Sequence, residues 1–467
     1  MEKINGKANG VRIAYIGGGS RGWARYLMSD LLLGDKMSGT VALYDIDVEA
    51  AKDNAVIGAM MNQLPDKKSD WKFVVAESLK EALTGADFVA ISILPGTFDE
   101  MEVDVHLPEK YGIYQSVGDS VGPGGIVRAL RTVPMFKTIA EAIRDYSPNA
   151  WVVNYTNPMT VCTRTLYEVF PEIKAFGCCH EVFGTQELIA NIYNTKTGGC
   201  ATRQEIEINL YGVNHFTWVN EARYKGEDLM PMMRQYAEEN PDGDSFKTLN
   251  WMNKAFQSNS AIKLDLFKRY GVLAAAGDRH LCEFVPSDWY MKDAETAEKW
   301  KYKLTGVAWR KEDKKAKVQE TKELAAGKKP VSLQASGEEG VNQMAALLGL
   351  GSYVTNVNIP NYGQIPNLPL GAVVETNAYF SGDSVRPLYA GAIPEDINHL
   401  VVRHVYNQEL VVKGALAGDY EAVFKAFIND PQMKLSLEDA RRLYDEMLYE
   451  TRAYLPYYEK YVGGKKA

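Results

Sequence analysis

The feature that most constrains this chain is the run Gly17-Gly18-Gly19-Ser20-Arg21-Gly22. It satisfies the pattern G-x-G-x-x-G, which gains weight from its setting. Residues 11–16 read as a buried strand, and residues 23–33 read as a helix. A glycine loop between strand and helix offers backbone N–H groups and the positive end of a helix dipole to a pyrophosphate. Asp45 ends the next predicted strand, residues 40–45. A carboxylate there accepts hydrogen bonds from ribose hydroxyls and repels a 2′-phosphate, so NAD is expected rather than NADP. Gly17, Gly18, Gly19, Ser20, Arg21 and Asp45 are the residues expected to hold it. A tight turn without a ligand is the plainer alternative.

The alternation continues. Helices are expected at 48–61, 78–83, 133–146 and 159–169, and strands at 71–76, 88–94, 151–155 and 173–177. Short apolar strands alternating with helices argue for a parallel, doubly wound sheet. Beyond about residue 200 the pattern changes: 204–213 alternates like a strand, and long helical stretches follow. The expected fold class is therefore α/β. A Rossmann-type NAD-binding domain over 1–200 precedes a C-terminal α+β domain over 201–467, which serves substrate, metal and subunit contacts. The lysine-rich segment 311–329 reads as a solvated helix and turn.

Composition narrows the classes. With 467 residues the chain has room for two or three domains. A net charge of −8 opposes the basic surface that nucleic acid needs, so an anionic substrate would require locally placed arginines. No run of eighteen apolar residues is present, so no membrane span is expected, and residues 1–10 lack the apolar core of a signal peptide. Five cysteines form an odd, sparse set that fits a reducing compartment. The expected location is cytoplasmic.

A second group of motifs carries metal-ligating residue types. Cys178-Cys179-His180 follows one predicted strand, Asn214-His215 follows another, and Asp278-Arg279-His280 follows the apolar stretch 272–276. A thiolate and an imidazole from separate strand ends can share one divalent ion. Two such donors are too few for a closed zinc site, but they suit an open one that takes substrate oxygens. Each histidine taken alone reads more readily as an ordinary core or surface residue.

Together these segments resemble glycoside hydrolase family 4. The resemblance rests on Gly-Gly-Gly-Ser at 17–20, Val-Gly-Asp-Ser-Val-Gly-Pro-Gly-Gly at 117–125 and Arg-Ala-Leu-Arg-Thr-Val-Pro at 128–134. It rests equally on Asn-Tyr-Thr-Asn-Pro-Met at 154–159, Gly-Cys-Cys-His-Glu at 177–181, Gly-Val-Asn-His-Phe at 212–216, Ala-Ser-Gly-Glu-Glu at 335–339 and Asn-Leu-Pro at 367–369. It covers about residues 11 to 450. Ala-Gly-Asp-Arg-His at 276–280 is most similar to the LplD-type α-galacturonidases and the related α-glucuronidases. His180 after the metal cysteine departs from the 6-phosphoglycosidase pattern.

The resemblance implies a fold like lactate and malate dehydrogenases and a redox-assisted elimination, an exception to the two-carboxylate glycosidase scheme. Hydride leaves C3 of the sugar for NAD, the C2 proton becomes acidic, the glycosidic oxygen leaves, water adds and the hydride returns. It implies Cys179 and His215 as metal ligands, Mn²⁺ as the usual ion, and a homodimer or homotetramer. Asn157 is expected to contact substrate near C3 and Asn154 to hold ribose or substrate; a turn cap is the alternative for Asn157. Asp278 is the expected C2 base, or else an N-cap or a turn residue. Asp119 is a candidate acid or substrate ligand, or a turn former, and His180 a supporting partner or the leaving-group acid. Arg279 and His280 are expected at the substrate, Arg279 on a C6 carboxylate unless it merely pairs with an acidic side chain. The expected reaction is hydrolysis of an α-galacturonide; α-glucuronidase, neutral α-galactosidase and NAD-dependent sugar dehydrogenase are the alternatives.

Overall fold

The computed structural model describes residues 1–243, 258–304 and 306–465. The strands of the first half are β1 (Glu2–Ile4), β2 (Lys7–Ile16), β3 (Met37–Tyr44), β4 (Trp71–Val75), β5 (Phe88–Ile91), β6 (Trp151–Asn154) and β7 (Lys174–Gly177). Then come β8 (Glu207–Val213), β9 (Phe216–Tyr224), β10 (Glu227–Asp228), β11 (Leu273–Ala274), β12 (Ser352–Pro360), β13 (Val373–Ser381) and β14 (Ser384–Pro387).

The heart of the molecule is a parallel sheet in the order β4-β3-β2-β5-β6-β7. This is the doubly wound dinucleotide-binding order, with its switch point between β2 and β5. Alternate side chains show why the strands are apolar throughout. Ile13 and Tyr15 of β2 pack into one core with Ala24 and Leu27, whereas Ala14 and Ile16 pack into another with Phe136 and Ile139. A sheet covered on both faces needs apolar residues at both parities.

The sheet does not stop at the end of the first half. β12 joins β7 antiparallel at Asn358 opposite Gly177, and β13 and β14 extend the edge. A second, smaller sheet joins β8, β9, β10 and β11. Its β8–β9 hairpin turns on Asn214 and His215 alone, because Val213 pairs with Phe216. His215 takes φ 67°, a left-handed conformation that sets its ring at the end of the hairpin.

Two helices depart from the sequence expectation. The helix expected at 133–146 starts at Gly122 and runs to Tyr146. Its glycines are there for close approach: a Cβ on Gly124 would sit 2.5 Å from the Asp104 carbonyl oxygen. Tertiary packing therefore overrides the poor helix propensity of Gly-Pro-Gly-Gly. The helix Phe98–His106, capped by Thr97 and Glu100, was not anticipated. It is tied to the long helix by a buried bidentate pair between Arg131 and Asp104, and Arg131 Nε also donates to Pro95 O at 3.0 Å. Among the described residues no helix is long and apolar enough to cross a membrane.

Candidate active site

The glycine loop leaves β2 at the switch point. Gly17 and Gly18 each donate a backbone hydrogen bond of 2.9 Å to Tyr44 O, folding the loop over the end of β3. Side chains are excluded here. A Cβ on Gly17 (φ 96°) would strike the Ser92 carbonyl, one on Gly18 would lie 2.7 Å from Leu43 Cβ, and one on Gly19 2.9 Å from Asp45 Oδ2. Asp45 accepts from Gly19 N at 2.8 Å and from Asp47 N at 2.9 Å. Asn54 Nδ2 donates to Gly18 O and Ser20 O at 2.8 and 2.9 Å. Arg21 pairs with Asp47 at 3.0 Å. The helix Trp23–Leu33 has Gly22 at its N-cap and no side-chain cap, so its first N–H groups face the loop with no side-chain oxygen taking them. Such a cradle fits a dinucleotide pyrophosphate.

A second cluster assembles from three distant segments. Asp119, His215 and His280 bring ligand atoms within 4.8 Å of one another. Ser120 Oγ donates to Asp119 Oδ1 at 2.8 Å and lies 3.0 Å from His215 Nδ1. The hydroxyl has one proton, and it is given to Asp119. His215 Nδ1 must then be the donor to Ser120, which leaves the lone pair on Nε2. Burial and the adjacent His280 push His215 down to about 3, so its ring is neutral. Burial works against ionising Asp119, but the charge of Arg128, the Ser120 hydrogen bond and the polar His280 and His215 rings around it hold the carboxyl well below its usual range. A neutral imidazole and an ionised carboxylate form a nitrogen and oxygen donor pair suited to a divalent transition ion, with the His280 imidazole beside them.

Asn157 closes this cluster. Its Nδ2 donates to Asp119 Oδ2 at 3.2 Å, its carbonyl accepts from Arg128 Nε at 3.2 Å, and its peptide to Pro158 is cis. Asn157 Oδ1 and His280 Nδ1 are buried and have no hydrogen-bond partner among the described residues. Buried polar atoms of this kind are normally satisfied, so both are suited to a bound ligand.

The Cys-Cys-His segment arrives from the end of β7. Cys178 turns into the core and its Sγ donates to Gln343 Oε1 at 3.0 Å. Cys179 lies among Glu375, Glu181 and Asn214, and burial with those carboxylates raises its thiol well above the ordinary value. It adjoins the Asp119–His215–His280 cluster through Asn214 and Glu181 and is not one of its three members. Glu375 is itself buried, accepts from Asn356 Nδ2 at 2.7 Å and Asn214 Nδ2 at 3.2 Å, and is raised to about 7 by burial. His180 Nδ1 lies 3.1 Å from Glu338 Oε1. Burial opposes its charge, but Glu338 and Glu181 carry His180 up to about 9.

Two further expected residues, Asp278 and Asn154, are held by neighbouring backbone groups. Asp278 was expected to face the sugar as a base. It is fully buried, and its Oδ1 accepts at 3.0 Å from Lys263 N in the first turn of the helix Ala261–Tyr270. Burial raises its carboxyl to about 6, although the Lys263 N–H and charge pull the other way. Asn154 is also fully buried, and its amide closes a turn through Thr156 N and Thr156 O at 2.9 and 3.1 Å. Arg279 is near the cluster: Nη2 donates to Ser116 O at 3.1 Å, and its charge is balanced chiefly by Glu283 and Glu181.

Sequence reasoning passed over Ser120, Glu181, Glu283 and Glu338 as functional residues. All but Glu283 lie inside motifs already singled out, and Glu283 follows His280 by three positions. The signal was their polarity within otherwise apolar or glycine-rich segments.

Residues 12–195 match the model of the family 4 glycosyl hydrolases, and residues 210–433 match the model of the family 4 glycosyl hydrolase C-terminal domain. An alpha-galacturonidase of Thermoanaerobacterium saccharolyticum is 57% identical over 458 residues, 97% of this chain and 98% of that protein. The chain belongs to glycoside hydrolase family 4. The crystal structure of Bacillus subtilis lplD, described as a glucosidase, superposes with a TM-score of 0.89 at 51% identity, covering 94% of this chain and 100% of that one. A 6-phospho-alpha-glucosidase from gut microorganisms, solved with NAD and Mn²⁺, shares the fold at a TM-score of 0.80 and 20% identity, covering 96% and 99% of the two chains. In this family 4 glycoside hydrolase the motifs at 117–125, 154–159, 177–181, 212–216 and 276–280 meet in one place, which explains their spacing along the sequence.

Proposed function

We propose that this family 4 enzyme is an α-galacturonidase that requires NAD and a divalent cation, Mn²⁺ above others. The observation that carries the reading is the dinucleotide cradle at the β2–β5 switch point together with an Asp119–His215–His280 cluster in the same chain. The 57% identical relative named alpha-galacturonidase supports the substrate. The structure solved with NAD and Mn²⁺ supports the pair of cofactors. Gly17, Gly18, Gly19 and Ser20 would hold the pyrophosphate, with Asp45 at the ribose. His215 through Nε2, with Cys179 and the flanking Asp119, would hold the cation. When bound, these groups supply reversible hydride transfer at sugar C3 and electron withdrawal at the C2 and C3 oxygens.

The chain's own residues do the rest. Asn157 Oδ1 accepts a sugar hydroxyl near C3 and orients the ring. The neutral His280, whose Nδ1 is buried without a hydrogen-bond partner among the described residues, is the group suited to take the C2 proton, and Asp278 is the other candidate. His180, kept protonated beside Glu338, donates to the departing glycosidic oxygen. Arg279 faces the C6 carboxylate, which would be costly to bury unpaired. The five cysteines are all free, in keeping with a reducing, cytoplasmic setting.

The test is a product assay on aryl α-galacturonide, α-glucuronide and α-galactoside with NAD⁺, Mn²⁺ and a reductant. Release from the galacturonide alone is the expected result. Equal release from the galactoside would overturn the substrate assignment, and stoichiometric NADH would make the protein a sugar dehydrogenase.

A further inference from the structure

The antiparallel side of the large sheet carries polar side chains where a covered sheet is normally apolar. Asn356 and Asn358 of β12, Glu375 of β13 and Asn214 of the β8–β9 turn are each at most 4% exposed. Buried groups of this kind are costly unless they are hydrogen-bonded. Here they gather around one carboxylate. Asn358 stands between Gly177 of β7 and Glu375 of β13. Residues opposite one another, or two apart on one strand, share a face, so Asn356, Asn358 and Glu375 lie on the same side of the sheet. Gly177 leads directly into Cys178 and Cys179.

Glu375 Oε1 accepts from Asn356 Nδ2 at 2.7 Å, and the same amide nitrogen donates to Cys179 O at 3.0 Å. The Cys179 carbonyl can only accept, so it fixes which end of the Asn356 amide faces it, and the second proton of that nitrogen goes to Glu375. Glu375 Oε2 accepts from Asn214 Nδ2 at 3.2 Å. One carboxylate therefore ties together segments of two different sheets. Cys179 follows β7 of the large sheet, whereas Asn214 and His215 form the turn of the smaller one. A cation shared by Cys179 and His215 needs those two segments held to within about 0.5 Å of their productive spacing.

We propose that Glu375 is a positioning residue for the cation site, setting the Cys179 segment against the Asn214–His215 turn through its two asparagine partners. This rests on the reading of Cys179 and His215 as ligands. Both Glu375 oxygens are engaged by amide protons, so it acts through Asn356 and Asn214 and not as a ligand itself.

The experiment compares the full-length enzyme with Glu375→Gln, Glu375→Ala, Asn214→Ala and the Glu375→Ala, Asn214→Ala double variant. Glutamine keeps the shape but turns its NH₂ toward one of the two donors, so one tie is lost; alanine removes both. Electron paramagnetic resonance gives the Mn²⁺ Kd and calorimetry the NAD⁺ Kd. Titration with Co²⁺ reads the thiolate-to-cobalt charge-transfer band, with Cys179→Ser as the reference that lacks it. In Glu375→Gln the Mn²⁺ Kd should rise roughly 10- to 100-fold and the band should weaken at equal cobalt occupancy, with NAD⁺ affinity unchanged. Asn214→Ala should add little in the Glu375→Ala background, because the two residues form one tie. Unchanged Mn²⁺ affinity in Glu375→Gln would overturn the proposal, whether or not Glu375→Ala folds. Weaker binding with an undiminished band would mean that Glu375 contributes only its charge, and additive losses would make it a ligand; each overturns the positioning role. A wild-type enzyme without the band would instead overturn Cys179 as a ligand, and the positioning role with it.

Discussion

His215 and His280 lie ring on ring, with centroids 3.7 Å apart and planes inclined by 23°. Two imidazolium rings cannot share that spacing in a buried site, and burial drives both below their ordinary value. Ser120 then decides which nitrogen of His215 keeps its lone pair. Ser120→Ala should weaken Mn²⁺ binding by about 10- to 100-fold, the usual effect of losing a group that orients a ligand. NAD⁺ affinity should not change. An electron paramagnetic resonance titration with Mn²⁺ measures this, and unaltered Mn²⁺ affinity would remove Ser120 from the account.

The two adjacent cysteines should behave differently. Cys178 packs in the core and donates to Gln343, whereas Cys179 adjoins Asn214 and Glu181. Cys179→Ser should abolish Mn²⁺-dependent turnover with NAD⁺ binding intact. Cys178→Ser should cost about 1 kcal/mol of stability, the scale of one buried hydrogen bond and small packing changes, and keep most activity. Loss of activity in Cys178→Ser alone would reverse the assignment.

These contrasts also show what the sequence could and could not convey. The helices Trp23–Leu33, Val48–Met61 and Met159–Val169 were legible to the residue, because apolar spacing and flanking residues such as Gly22, Gly34, Asp47 and Pro158 are local signals. The long helix was read eleven residues short, at 133 rather than 122, because its glycines serve contacts with Asp104 and Ser120 that only the fold creates. His215 and Asp119 were legible as candidates from their motifs, and the structure brings them together. Their junction with His280, and the role of Ser120 between them, depends on segments 65 and more positions apart. The contact of Asp278 with the first turn of the helix Ala261–Tyr270 is likewise not a local signal, since Lys263 N lies 15 positions away.

Glu283 should impose a pH dependence on stability. Burial raises its carboxyl from 4.5 to about 8, although the Val117 and Gly118 N–H groups pull the other way. A folded-state pKa above the unfolded value means that the folded protein holds the proton more tightly. The associated stability is full below about pH 4.5 and declines as pH rises toward 8. The slope is at most about 1.4 kcal/mol per pH unit. In Glu283→Gln the amide oxygen still accepts both N–H groups, so the variant should match wild type near pH 5 and exceed it above pH 8. Melting curves across that range decide, and a wild type that gains on the variant with rising pH would contradict the assignment.

Gly17→Ala should damage the cradle directly. The residue has φ 96° and no room for a Cβ beneath the Ser92 carbonyl. A strained backbone position of this kind costs about 1–3 kcal/mol. The variant should melt lower and bind NAD⁺ more weakly, while Mn²⁺ affinity persists at the separate cluster. Undiminished NAD⁺ binding would place the dinucleotide elsewhere.

The central claim is that the glycoside bond breaks by way of C2 deprotonation, with His280 taking the proton, and not by displacement between two carboxylates. Hydrolysis of an α-galacturonide in D₂O, with mass and NMR analysis of the released galacturonate, tests it most directly. The expected product carries deuterium at C2, forms without accumulation of NADH, and loses that label together with turnover in His280→Gln, while NAD⁺ binding remains. Galacturonate released at the full rate with no deuterium at C2 would contradict the account.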